Sequence, residues 1–315
     1  MESPISIHFW IPLFILAIYF LFKLYITLVV FKVVFKYLIC KYCKKERDLR
    51  KCYGEWAVVT GGSYGIGKYY AIELAKRKMN ILLICRNEEK LKIVSQEIGE
   101  AHGVETRYFA VDLTQGHAAI DRVETEVQCL DVGILVNNSG SLCGVPGSFY
   151  KLTRENIWNS LSLNICALTD LVHVILPGMR QRGRGLIVNV SSVAALSPNP
   201  HSPIYAASKA FVQSFSEAIR TECEEVGVEV QTLSPGFMRN SFGKGKSYRL
   251  PACLNPTPQA YAASAVATIG HMKCTSGNVA HEVQSAIFQF MPMNMRQKIM
   301  AYFLENLQDK CGIEV

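Results

Sequence analysis

The chain has no paired cysteine framework. Its 11 cysteines are scattered over 315 residues, and Cys40-x-x-Cys43 is the single close pair. With no second pair at ligand spacing, a zinc site is not expected, nor any other metal. Cys85, Cys129 and Cys166 fall in stretches that read as core elements, so these thiols are expected to be small apolar residues in a reducing compartment. A basic stripe with interleaved aromatics is also missing. The formal charge is +7, but much of it sits near the N-terminus, which argues against a nucleic-acid partner. No internal repeat and no low-complexity tract is present.

Charge itself is absent from Ser3 to Phe22, a run rich in Ile, Leu and Phe. After the lone Lys23, a second apolar run covers Leu24 to Phe31. About 20 apolar residues span a bilayer as a helix, and Pro12 is tolerable near the start of one. A cleavable signal fits poorly. No positive segment precedes the apolar run, and Lys32, Phe35 and Lys36 follow it instead of a small-residue cleavage site. Lys36, Lys41, Lys44, Lys45, Arg47, Arg50 and Lys51 come after the span, while the tip before it carries only Glu2. Positive flanks stay cytosolic. The expected division is a membrane anchor at 1–35, a basic cytosolic linker at 36–52 and one large domain at 53–315. A single crossing, and a crossing followed by a stretch along the interface, both fit.

From Trp56 onward apolar runs alternate with helix-like stretches. The runs are Trp56–Val59, Ile81–Cys85, Thr106–Val111, Gly133–Val136, Gly185–Val190 and Val228–Leu233. Between them lie Gly65–Lys78, Glu88–Ala101, Ala119–Cys129, Arg154–Gln181 and Pro203–Val226. Short apolar strands separated by helices predict an α/β fold, a doubly wound parallel sheet covered on both faces. The one loop with a marked composition shift is Ser241–Pro258, rich in Gly, Lys, Ser and Pro.

Three local patterns carry chemistry. Thr60-Gly61-Gly62-Ser63-Tyr64-Gly65-Ile66-Gly67 joins the first strand to the first long helix. Glycines there let the backbone approach a pyrophosphate at the positive end of that helix. In Ile204-Tyr205-Ala206-Ala207-Ser208-Lys209, a tyrosine and a lysine four residues apart share one helix face. The ammonium can stabilise a phenolate, so the tyrosine can exchange a proton well below its free pKa of about 10. Thirteen residues before Tyr205 stands Ser192, in Val188-Asn189-Val190-Ser191-Ser192. Together these patterns resemble the short-chain dehydrogenase/reductase family, whose domain is a single Rossmann-like unit.

The resemblance implies roles position by position. Tyr205 matches the proton donor to a substrate carbonyl, and Lys209 matches its electrostatic partner, which also holds the nicotinamide ribose. Ser192, rather than Ser191, has the offset of the residue that hydrogen-bonds the carbonyl oxygen. Asn164, in Leu163-Asn164-Ile165, matches the asparagine holding a water that links Lys209 to solvent. Gly61, Ser63, Tyr64, Gly65, Ile66 and Gly67 match the cofactor turn. Asp112 matches the position beside the adenine. Asn138, in Asn137-Asn138-Ser139-Gly140, matches the turn after the fourth strand, with Ser139 where alanine is usual. Pro235 and Gly236 match the loop over the nicotinamide. Asn240 stands where threonine is common. At the end of the second strand the chain reads Ile84-Cys85-Arg86-Asn87. It lacks the acidic residue that binds a ribose 2′-hydroxyl, and Arg86 can clamp a 2′-phosphate, which points to NADPH. The glycosylation-like triplets Asn137-Asn138-Ser139 and Asn189-Val190-Ser191 fall in the expected cofactor site and a core strand, so neither is expected to be modified.

Gly54-Glu55-Trp56-Ala57-Val58-Val59-Thr60, Asp131-Val132-Gly133-Ile134-Leu135-Val136-Asn137-Asn138 and Val174-Ile175-Leu176-Pro177-Gly178-Met179 are similar to the branch holding 17β-hydroxysteroid dehydrogenase types 3 and 12, the latter also very-long-chain 3-oxoacyl-CoA reductases. That branch implies an anchor in the endoplasmic reticulum membrane, a cytosolic catalytic domain, a lipophilic ketone substrate and room for a homodimer. It also contains a hydroxysteroid-dehydrogenase-like member with phenylalanine at the catalytic tyrosine position. The chain keeps Tyr205, which favours a reductase over a cofactor-binding membrane or lipid-droplet protein with little turnover. Arg239, Lys244, Lys246 and Arg249 cluster after Gly236, where a solvated loop, a clamp on coenzyme A phosphates and a contact with anionic lipid headgroups all fit.

Overall fold

The computed structural model describes residues 7–39, 47–144, 147–239 and 255–311. The apolar N-terminal run forms one helix, α1 (Ile7–Leu38), whose residues Trp10–Phe35 are apolar enough to cross a membrane. Its two halves have different surroundings. From Trp10 to Leu24 the side chains face outward. Farther along, the Tyr25 ring meets Phe290 edge-on at 4.7 Å, and Tyr37 is buried with its hydroxyl 3.4 Å from the Ser264 carbonyl. A short helix α2 (Leu49–Tyr53), capped by Asp48, also packs Leu49 and Tyr53 into the core. Cys40, Lys41, Cys43, Lys44 and Lys45 lie outside the described residues.

Seven strands make one parallel sheet. They are β1 (Trp56–Thr60), β2 (Asn80–Cys85), β3 (Thr106–Ala110), β4 (Val132–Asn137), β5 (Gly185–Val190), β6 (Val228–Leu233) and β7 (Cys274–Thr275), in the order β3-β2-β1-β4-β5-β6-β7. β1, β4 and β5 are buried on both faces. That burial is why they read as unbroken apolar runs and not as alternating ones. Alternate side chains still part company. Ala57 and Val59 join a core with Tyr70, Leu74 and Tyr261, whereas Trp56 and Val58 join a second core with Ile120, Leu171 and Ile175 on the opposite face.

The first face is covered by α3 (Gly65–Lys76) and α4 (Glu88–His102) and by a helix met later in the chain, at Pro258–Val266. The second carries α5 (His117–Val127), α6 (Arg154–Leu161), α7 (Ala167–Arg182) and α8 (Pro203–Glu225). The chain closes with α9 (Pro258–Val266), α10 (Val279–Phe290) and α11 (Met293–Cys311). The helix expected over Arg154–Gln181 is interrupted: Ser162–Cys166 forms a π-turn between α6 and α7. Such a turn inserts one extra residue and often marks a functional position. Two core expectations need correction. Cys129 and Cys166 are exposed. α5 ends at Val127 and leaves Cys129 in the following turn, and Cys166 closes the π-turn on its outer side. Cys85 is half-buried, and among the described residues the buried thiols are Cys143 and Cys223. Asn137 and Asn189, the acceptors of the two glycosylation-like triplets, are buried and bonded to each other, Asn137 Nδ2 donating to Asn189 Oδ1 at 2.9 Å.

Candidate active site

Strand order reverses between β1 and β4, so the connections leaving these two strands diverge and a crevice opens at their carboxyl ends. The β1–α3 turn shapes one side of it. Gly61 has φ +66°, and a Cβ there would lie 2.9 Å from Asn138 Nδ2. A Cβ on Gly67 would overlap the Gly61 carbonyl. The turn can therefore coil this tightly only with glycine at both places. Asn138 fastens it: Nδ2 donates to the Thr60 carbonyl at 3.0 Å, and the Asn138 and Ser139 amides both donate to Thr60 Oγ1 at 3.0 Å. Among the described residues, no side chain makes a capping hydrogen bond at the start of α3. Its first-turn N–H groups and the positive end of its dipole point toward the crevice, which suits the pyrophosphate of a dinucleotide.

The opposite side carries the reactive groups. Proline at the first position of α8 starts that helix beside the crevice, and Tyr205 and Lys209 follow one turn apart. The two serines after β5 point different ways. Ser191 Oγ donates to the Lys209 carbonyl at 2.7 Å and is taken up by the scaffold. Ser192 Oγ accepts the Ala194 amide at 3.1 Å and stands beside the Tyr205 phenol in the cleft wall. Lys209 is buried, with Nζ 5.8 Å from the centre of the Tyr205 ring and donating to the Val190 carbonyl at 2.8 Å. Burial pushes the Tyr205 phenol above its ordinary value, and the bond with Ser192 pulls it partly back. Burial also brings the Lys209 ammonium down to about 8. In both groups desolvation disfavours the charged form.

Asn164 stands behind this group, in the π-turn. Its Oδ1 accepts the Ser141 amide at 2.8 Å, and its Nδ2 donates to the Ser141 carbonyl at 2.9 Å and to Ser208 Oγ at 3.0 Å. One side chain thus ties the segment after β4 to the middle of α8. The extra residue of the π-turn is what turns this amide inward.

The resulting cleft has a volume of about 400 Å³. Tyr64, Gly65, Ile66, Asn138, Ser192, Tyr205, Lys209, Pro235 and Gly236 all line it. Gly61, Gly67 and Asn164 support the wall from behind. Ser63, Arg86 and Asp112 lie outside the cleft, along the carboxyl ends of β2 and β3. There Ser63 Oγ bonds Cys85 Sγ at 3.3 Å, Arg86 is exposed, and Asp112 caps a turn by accepting from the Thr114 amide at 3.0 Å. Asn240, Lys244, Lys246 and Arg249 lie outside the described residues. The motifs gave no sign that Met300 and Leu304 of α11 would close the far side. Arg296 Nη1 holds α11 there by donating to the Leu196 carbonyl at 2.6 Å, and His201 pairs with Glu305 at 3.1 Å. No cluster of three metal-ligating side chains occurs among the described residues.

An uncapped helix behind a glycine turn, with serine, tyrosine and lysine gathered across the crevice, defines a dinucleotide-dependent dehydrogenase fold. Residues 55–248 match the family described as short chain dehydrogenase, and the chain belongs to that family. It is 41% identical over 247 residues to the human protein named "Inactive hydroxysteroid dehydrogenase-like protein 1", covering 78% of this chain and 74% of that one. It is 37% identical over 259 residues to the very-long-chain 3-oxoacyl-CoA reductase of Rattus norvegicus, covering 82% of each. Among solved structures, a 7β-hydroxysteroid dehydrogenase superposes with a TM-score of 0.73 at 25% identity, over 81% of this chain and 99% of that one. A short-chain dehydrogenase from Sphingobium yanoikuyae in complex with NADPH superposes at 0.56 and 26% identity, over 82% and 96%.

Proposed function

We propose that the chain is a membrane-anchored, NADPH-dependent reductase that converts a lipophilic ketone, a 17-ketosteroid or a long-chain 3-oxoacyl-CoA, to a secondary alcohol. The observation that carries this reading is Ser192 and Tyr205 lining one largely apolar cleft, with buried Lys209 5.8 Å from the centre of the Tyr205 ring. NADPH bound along the β1–α3 turn would supply the hydride. Ser192 accepts the Ala194 amide, and with substrate bound its O–H would turn from the Tyr205 phenol to the substrate oxygen. Tyr205 gives that oxygen its proton, and the Lys209 charge stabilises the phenolate left behind. Asn164 keeps the Ser141 segment and α8 in register during the exchange. Arg86 is placed at the end of β2, where a 2′-phosphate would lie, and no carboxylate opposes it.

The apolar α1 helix would hold the protein to the endoplasmic reticulum membrane with the domain in the cytosol, in keeping with the positive residues after it. A second reading, a cofactor-binding membrane protein with weak turnover, is favoured by the relatives named inactive. The retained Tyr205 hydroxyl weighs against it. The deciding test is NADPH oxidation by purified protein across steroid ketones and 3-oxoacyl-CoAs of several lengths. Turnover with a member of that panel, lost in Tyr205→Phe, supports the reductase. Cofactor binding without turnover on any of them supports the second reading.

A further inference from the structure

Behind the catalytic cleft lies a second chamber of about 240 Å³, more than half the cleft's volume. Val193, Phe237 and Met300 line both spaces and form a shared wall of movable side chains. Apart from Gln284 and Ser285, the chamber's lining is apolar, and it runs between α10 and α11 past Phe288 and Phe303 to Ile287 and Met291. Ile287 is exposed, so the chamber opens to the outside there, at the elbow where α10 passes into α11.

That elbow sits against the membrane helix. Tyr37 of α1 meets the Gly277 carbonyl just before α10, while Tyr25 meets Phe290 at its end, so the second half of α1 runs antiparallel along α10. The part of α1 that precedes this contact, Ile7 to Leu24, rises about 27 Å at 1.5 Å per residue, short of a hydrocarbon core of about 30 Å. A crossing by that part brings the Tyr25 level, and with it the α10–α11 elbow, to the membrane surface. The elbow is built for that depth, since Phe290, Met293 and Met295 are all exposed there. An apolar patch of this kind, continuous with a membrane helix, marks a membrane contact.

Resting on the reductase reading above, we infer that the α10–α11 elbow lies in the bilayer surface and that the chamber behind it holds the apolar tail of a substrate entering from the lipid. The reactive carbonyl then stands at Tyr205 while the tail passes Phe237 and Met300 toward Ile287. A ketone with a long apolar chain is the substrate form this geometry takes. A compact ketone would occupy the cleft alone.

The test uses full-length protein in phosphatidylcholine vesicles. Ile287→Trp with Ile299→Trp fills the chamber, and neither residue lines the cleft. Its expected effects are weaker binding of a fluorescent long-chain acyl probe and a higher KM for a long-chain 3-oxoacyl thioester. Both should change about tenfold, the equivalent of losing roughly two buried methylenes. KM for a short-chain 3-oxoacyl thioester should stay unchanged. Equal shifts for both chain lengths, or no shift with unaltered probe binding, would overturn the chamber assignment. Phe290→Asp with Met293→Asp should lower kcat/KM for vesicle-borne substrate and leave it unchanged in detergent micelles. Equal rates in both settings would overturn entry from the lipid. If no ketone is reduced, the reductase reading fails, and the probe still tests the chamber.

Discussion

In the proposed reductase, Tyr205 and Lys209 are ordinary side chains made reactive by position. Tyr205→Phe keeps the ring and loses the hydroxyl, so NADPH should still quench protein fluorescence while kcat falls by about 10²–10⁴-fold. Equal turnover would remove Tyr205 from the proton path. Lys209 makes a prediction about stability. Its ordinary value is 10.5 and burial lowers it to about 8. Below pH 8 it is charged in both folded and unfolded chains, and the cofactor-free fold bears the full cost of burying that charge. Between pH 8 and 10.5 the folded chain gives up the proton and the unfolded chain keeps it, so stability rises with pH. Lys209→Met should therefore make the cofactor-free protein more stable below pH 8, by up to about 3 kcal/mol, less whatever the lost bond to Val190 contributed. The gap should close as pH rises to 10.5, as followed by urea unfolding at a series of pH values, and turnover should be lost throughout. Arg86→Asp replaces a cation suited to a 2′-phosphate with the carboxylate suited to a 2′-hydroxyl. The ratio of kcat/KM for NADPH over NADH should invert, and a wild-type protein indifferent to the two cofactors would contradict the reading.

At the scale of elements, the sheet and its first helices were legible because each has a local signature. Strands buried on both faces appear as solid apolar runs, and β5 and β6 match their expected bounds to the residue. The later elements lacked such signatures. β7 has only two residues, and α10 and α11 carry no catalytic motif. The π-turn was invisible because nothing in Ser162–Cys166 breaks an α-helix. Its geometry follows from the bonds Asn164 makes to Ser141 and Ser208, residues far away in sequence. α11 is held over the cleft by Arg296 donating to the Leu196 carbonyl and by the His201–Glu305 pair. Arg296→Ala should cost about 1.5–3 kcal/mol, raise substrate KM more than it lowers kcat, and speed amide exchange in the Val193–Leu196 turn. Unchanged exchange there would mean that α11 is held by its other contacts alone.

For the whole molecule, the apolar N-terminal helix and the α/β domain are not joined as beads on a string. Tyr37 and Leu49, which lie in the stretch expected to be a linker, are buried in the domain, and Arg47 pairs with Glu229 at 2.9 Å. Two truncations should therefore differ. Removing residues 1–24 leaves every one of these contacts and should shift the urea midpoint little. Removing residues 1–51 also strips Tyr37, Arg47 and Leu49, and should lower stability by at least about 3 kcal/mol, as for loss of large buried side chains. Equal midpoints would show that the second half of α1 contributes nothing to the fold.

The sequence by itself determined the α/β alternation, the glycine turn, the family and the residues across the crevice, because each depends on spacing within one strand or helix. It also determined that the N-terminus is an apolar helix, since twenty uncharged residues leave few alternatives. Tertiary structure decided what depends on distant partners. It set Ser191 Oγ onto the Lys209 carbonyl and left Ser192 facing the cleft, and it gave Asn138 and Asn164 bracing bonds. It turned Cys129 and Cys166 outward. It also laid α1 along α10 and set an apolar chamber beside the cleft. None of these has a local signal, because each arises only when separate elements, from 18 residues apart at Ser191 and Lys209 to 240 at Tyr37 and Gly277, come together over a common surface.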